Sequence, residues 1–174
     1  MLVARTPPNY SNHAENTTKI HSLPSLRDLR KFLRRQGKTV VFTNGCFDLL
    51  HVGHVRYLEA ASELGDFMIV AINSDQSVRA IKGAGRPLNT SQHRAEVLAA
   101  LGFISAVTVF DETTPFRIIR ALEPDILVKG ADWPLEQIVG RDEVEAAGGK
   151  VVRVPLTEGM STTSLIEKIR KMEF

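Results

Sequence analysis

The chain is poor in cysteine, in long apolar runs and in charge of one sign. A single cysteine, Cys46, stands in 174 residues, so no internal disulfide can form and the composition fits a reducing compartment. No stretch approaches the roughly 18 apolar residues of a membrane span, and the first residues lack the charged-then-apolar layout of a signal peptide. The expectation is a cytoplasmic protein with no membrane partner. Charge is nearly balanced: 22 Lys+Arg against 20 Asp+Glu leave +2, without the basic excess of a dedicated nucleic-acid binder. Also missing are a Gly-x-Gly-x-x-Gly fingerprint and a Gly-x-x-x-x-Gly-Lys-Ser/Thr loop, so neither a dinucleotide oxidoreductase nor a P-loop protein is supported. Gly83-x-Gly85 follows a helical pattern, not a strand.

What is present is a globular composition, 43% hydrophobic and 24% charged, at a length suited to one domain. Residues 1–24, with Pro7, Pro8 and a scatter of Asn, Ser and Thr, read as a flexible tail. Ser25 with Asp28 resembles a capping box, and Leu26, Leu29 and Leu33 repeat at helical spacing, predicting an entry helix over 25–37. From 38 to 174, strand-like runs alternate with helical patterns: Thr39–Thr43, Phe67–Ile72, Ala106–Phe110, Ile126–Val128 and Val151–Val154. Helices are expected after Gly53, from Asp75, around Gln92–Leu101, from Thr114-Pro115 and over Ser161–Met172. This alternation predicts a single Rossmann-like α/β domain, its parallel sheet of about five strands covered by helices on both faces. Ligands of such folds bind at the loops after the strands.

The most informative of those loops is Asn44-Gly45-Cys46-Phe47-Asp48-Leu49-Leu50-His51-Val52-Gly53-His54. Gly53 lets a ligand approach the backbone, and His54 falls in the first helical turn, where free N–H groups and the positive dipole end attract phosphate. His51 and His54 are three residues apart and can converge on one anion. Taken singly, one histidine could cap the helix and the other pack; Cys46, His51 and His54 also offer three zinc ligands, but no fourth ligand is nearby.

Gly-x-Phe-Asp-x-x-His-x-Gly-His between a strand and a helix resembles the signature of the nucleotidyltransferase superfamily, also called cytidylyltransferase-like. Within it, residues from about Val40 to Lys171 are similar to the sugar-phosphate adenylyltransferases of bacterial ADP-heptose synthesis, in lipopolysaccharide biosynthesis. The resemblance implies transfer of AMP from ATP to a sugar 1-phosphate with release of pyrophosphate, Mg²⁺ bound with the triphosphate, and a homodimer. It implies catalytic roles for His51, His54 and Lys82, and nucleotide contacts from Asn44 to Asp48 and at Gly53. Arg94 is carried to a phosphate-contacting position, where the bland alternative is a solvated loop. Ser161, Thr162 and Thr163, after Glu158 and Gly159, are placed at the triphosphate, although Ser164 with Glu167 also reads as a plain capping box.

Lys129, Gly130 and Asp132 are placed at the nucleoside, and Arg86 and Trp133 at the acceptor. CTP-dependent relatives acting on glycerol 3-phosphate carry an arginine where this chain has Leu156, which favours ATP; a flavin or coenzyme adenylyltransferase and a non-catalytic nucleotide-binding module are further alternatives. About 130 residues suffice for the transfer fold, so any kinase step is expected on another protein.

Overall fold

The computed structural model describes residues 18–172. Most of the expected tail, 1–17, lies outside the described residues. Its end does not hang free: Ile20 bridges Val107 in parallel, with His21 N donating to Val107 O at 2.9 Å and Val107 N to Lys19 O at 2.8 Å. The entry helix α1 spans Leu23–Arg35 and is capped by Ser22, whose side chain accepts from Ser25 N. The expected Ser25/Asp28 box is therefore displaced by one turn. Pro24 explains this, because a proline fits the first helical positions, where its missing N–H costs nothing.

Five strands follow: β1 Val40–Gly45, β2 Phe67–Asn73, β3 Ala106–Phe110, β4 Ile126–Gly130 and β5 Lys150–Val154. Between and after them lie α2 Val52–Ser62, α3 Asp75–Lys82, α4 Ser91–Ala99, α5 Phe116–Leu122, α6 Arg141–Ala146 and α7 Thr162–Arg170, with a short 3₁₀ turn at Leu135–Gln137. All pairings are parallel, in the order β3-β2-β1-β4-β5. Helix α5 begins after Pro115, one residue later than the sequence pattern suggests.

Alternation along the strands divides two cores. Val41, Met68, Val70, Ile72 and Val128 face Tyr57, Leu58 and Ala61 of α2 and Ala95 and Leu98 of α4. Val40, Phe42, Ile69, Ala71 and Leu127 face Leu26 and Leu33 of α1, Ile118, Ile119 and Leu122 of α5, and Val144 of α6. Burial on both faces is why these strands read as unbroken apolar runs rather than alternating ones. Chain order reverses between β1 and β4, and the loops leaving their carboxyl ends splay apart there to leave a crevice. Among the described residues, no helix is long and apolar enough to cross a membrane.

Candidate active site

A cleft of about 620 Å³ opens at this reversal, between the ends of β1 and β4. Its first wall comes from the β1–α2 loop. His51 is the N-cap of α2, and its Nδ1 accepts from His54 N at 3.4 Å. An accepting Nδ1 leaves the proton on Nε2, so the neutral ring retains one N–H donor. The two imidazoles stack with centroids 3.8 Å apart. Phe47 meets His54 edge-on at 5.2 Å and holds a left-handed backbone, φ 45°, a conformation uncommon for a bulky residue and typical of functional loops. Burial, with His51 beside it and the Leu49 backbone opposing, holds His54 down at about 4. Its Nδ1 is buried with no hydrogen-bond partner among the described residues. Burial also lowers His51.

The start of α7 lies against the start of α2. A Cβ on Gly53 would come within 3.0 Å of His51 Nδ1 and 3.2 Å of Met160 Cβ, so glycine is what permits the approach. Thr162 Oγ1 donates to Leu49 O at 3.3 Å. Ser161 caps α7 in a reciprocal box with Ser164, correcting the expected Ser164/Glu167 pair. Ser161, Thr162 and Thr163 all line the cleft. Glu158 and Gly159 do not; they form the turn before α7, where Gly159 has φ 72°.

Lys82, at the end of α3, and Arg86 reach the cleft from the glycine-rich loop. That loop is held by Asp48, which accepts from Arg86 Nη1 at 2.6 Å, Leu88 N at 2.8 Å and Asn89 N at 3.0 Å. Asp48 is thus buried and fully employed in fixing the loop. Arg94, expected to contact phosphate, is 2% exposed. It donates to Cys46 O, Asn73 O and Asn89 O and pairs with Asp75 at 2.8 Å. Its place is behind the cleft wall, joining β1, β2 and the Lys82 loop. Four acceptors converge on it because a buried guanidinium must satisfy its donors. Cys46 lines the cleft beside these cations, and burial pushes its thiol up.

On the β4 side, Lys129 donates to Asn44 Oδ1, joining the two central strands across the crevice. Burial lowers its ammonium to about 8. A Cβ on Gly130 would strike the Asp132 carboxylate and Leu156, so glycine is what lets these two side chains close over the strand end. Trp133 is 50% exposed at the rim. Leu156 and Tyr57 also line the cleft; the Tyr57 hydroxyl shares a 2.7 Å hydrogen bond with Thr43 and is pushed up to about 12 by burial. The sequence pattern does not single out Tyr57. No group of three or more His, Cys, Asp or Glu side chains among the described residues is disposed to hold a metal.

Two helix N-termini, two imidazoles, two lysines and Arg86 therefore surround one crevice, an arrangement that can hold several phosphate groups and stabilise charge developing on them. The model of the cytidylyltransferase-like family matches residues 42–168. The chain is 55% identical over 160 residues to the bifunctional protein HldE of Syntrophotalea carbinolica, covering 91% of this chain and 33% of that protein. It is 51% identical over 158 residues to HldE of Geotalea uraniireducens, covering 91% and 32%. The chain spans about a third of the length of these curated relatives. The fold is shared with the lipopolysaccharide core biosynthesis protein of Thermoplasma volcanium (TM-score 0.57, 24% identity, 70% of this chain and 98% of that one). It is shared too with the pantoate-beta-alanine ligase of Francisella tularensis (TM-score 0.58, 15% identity, 88% and 79%).

Proposed function

This chain belongs to the cytidylyltransferase-like family, and from that premise we propose that it transfers AMP from ATP to heptose 1-phosphate, giving an ADP-sugar and pyrophosphate. The observation that carries the reading is the meeting of the α2 and α7 N-termini in one cleft with His51, His54, Lys82 and Lys129. Relatives 51–55% identical and named HldE support the sugar-nucleotide assignment, together with the sequence resemblance to heptose adenylyltransferases. Leu156, standing where CTP-dependent relatives carry arginine, supports ATP.

An oxygen of the acceptor phosphate attacks the α-phosphorus in line, the bond from that phosphorus to the α,β-bridging oxygen breaks, and pyrophosphate departs with the electron pair. The attacking oxygen is already ionised near neutral pH, so no general base is needed. Positioning and charge stabilisation do the work. His51, through Nε2–H, and His54 hold the reacting phosphate. Ser161–Thr163 and the α7 N-terminus hold the β and γ groups. Lys82 and Arg86 neutralise the acceptor phosphate and α-phosphate. Asp132 and Gly130 receive the nucleoside; Trp133 offers a stacking surface. Mg²⁺ carried with the triphosphate would neutralise charge on its phosphates, since among the described residues no cluster of His, Cys, Asp or Glu would hold the ion by itself. We place the protein in the cytoplasm as a homodimer.

The test is a pyrophosphate-release screen of ATP, CTP, GTP and UTP against heptose 1-phosphate, glycerol 3-phosphate and flavin mononucleotide. Turnover with ATP and heptose 1-phosphate is expected; turnover only with CTP overturns the nucleotide assignment.

A further inference from the structure

Transfer to a sugar phosphate requires a place for the sugar as well as for its phosphate, and part of one wall of the cleft is still unused. The residues assigned to phosphate stand where α2 and α7 begin and at the Lys82–Arg86 end of α3. The facing wall is built from the β3–α5 loop and the segment leading into α6, drawn together because Ile118 and Ile119 pack with Ile138 in one core cluster. Thr113, Thr114 and Gln137 project from this wall into the cleft. All three are exposed, and none of their side-chain polar atoms makes a hydrogen bond among the described residues. Nearby Asn73, by contrast, is spent: its Nδ2 donates to Ser77 Oγ at 2.9 Å.

The chemistry of this wall differs from that of the other. The lysines and arginine that line the cleft are Lys82, Arg86 and Lys129, and none lies on the β3–α5 or β4–α6 segments. A triphosphate has nothing there to neutralise it. Two hydroxyls and an amide, each able to donate and accept, match a ligand that presents several hydroxyls. Pro115, next in the chain, is buried and also lines the cleft, and its fixed φ stiffens the loop there. We propose that Thr113, Thr114 and Gln137 form the subsite for the sugar hydroxyls of the acceptor, adjoining the Lys82 and Arg86 phosphate position. The inference rests on the transfer reading above and adds where the sugar sits.

The experiment measures binding of heptose 1-phosphate and, separately, of inorganic phosphate to the protein loaded with α,β-methylene-ATP. It compares wild type with the shape-conserving variant Thr113→Val/Thr114→Val and with Gln137→Leu. The double variant should bind the sugar phosphate about tenfold more weakly, from the loss of two hydrogen bonds, with unchanged affinity for inorganic phosphate and for ATP. Gln137→Leu, a substitution on an exposed turn, should show a smaller loss of the same kind. Unchanged sugar-phosphate affinity in both variants, or an equal loss of ATP affinity, overturns the subsite. If wild type turns over ATP and heptose 1-phosphate while the variants bind it normally, the subsite falls and the transfer reading stands. If wild type binds the sugar phosphate selectively through these residues yet releases no pyrophosphate, the subsite stands and the transfer reading falls.

Discussion

The imidazoles of His51 and His54 lie stacked, 3.8 Å between centroids and 21° between planes, at the first turn of α2. Two protonated rings at that distance repel, and burial already disfavours the charge on each. The free protein therefore keeps both neutral at pH 7, as hydrogen-bond donors pre-aimed at the cleft. Charge arrives with the polyphosphate.

Removing one such donor removes stabilisation of the transition state while leaving the fold. His54→Ala is expected to lower pyrophosphate release by about 10²–10³ or more, the loss typical of one preorganised donor. Circular dichroism should remain native, because His54 is only half-buried and the core of α2 rests on Tyr57, Leu58 and Ala61. Near-normal turnover would exclude the histidine from the chemistry.

The same residue carries an acid sensitivity. Its folded value of about 4 lies below the ordinary 6.5, so on acidification the unfolded chain takes up the proton first. The contribution to stability is intact above about 6.5 and is lost as pH falls toward 4. Urea midpoints measured from pH 7 to 4.5 should fall more steeply for wild type than for His54→Asn. Adding pyrophosphate should raise the His54 titration seen by NMR, because an anion favours the charged ring; a titration that does not move would show that the ring does not face the phosphate.

Arg94 and Lys82 should separate cleanly into scaffold and chemistry. Arg94→Met leaves three carbonyls without their side-chain donor and leaves Asp75 with Ser91 N; because Arg94 is buried and Asp75 only partly so, the loss is bounded by the roughly 3–5 kcal/mol of breaking a fully buried pair. A large drop in unfolding midpoint is expected. Lys82→Met, at an exposed position, should leave the midpoint near wild type and reduce turnover. Equal midpoints for the two variants would contradict the buried role of Arg94.

The strands were legible because burial on both faces writes them as uninterrupted apolar runs, and the His51–His54 loop because glycine and histidine between strand and helix have few structural uses. Arg94 and Asp48 show where this fails. A charged residue in a polar stretch reads the same whether it meets a ligand or a backbone carbonyl, and only the fold brings Cys46, Asn73 and Asn89 to one guanidinium. The caps of α1 and α7 were misplaced because neighbouring serines satisfy the same pattern, and Pro24 and the Ser161/Ser164 box decide between them locally. Thr113, Thr114 and Gln137 carry no signal of a binding site in the sequence, since exposed polar residues in loops gain that meaning only from facing a cleft.

Lys129 sets the alkaline limit of nucleotide binding. Its side chain is half-buried against Asn44, and desolvation brings its ammonium to about 8, within reach of ordinary assay conditions. A bound triphosphate favours the protonated form and raises that value, so binding draws a proton onto Lys129 whenever the free protein has lost it. Below about pH 8 the lysine is already charged and this contribution is constant; above it, affinity should fall by up to about tenfold per pH unit until the bound-state value is reached. Dissociation constants for ATP measured between pH 6.5 and 9.5 should break near 8 in wild type. Lys129→Met should bind more weakly at neutral pH and lose the break, because no ammonium remains to titrate. An unchanged break in that variant would assign the titration to another group and remove Lys129 from nucleotide binding.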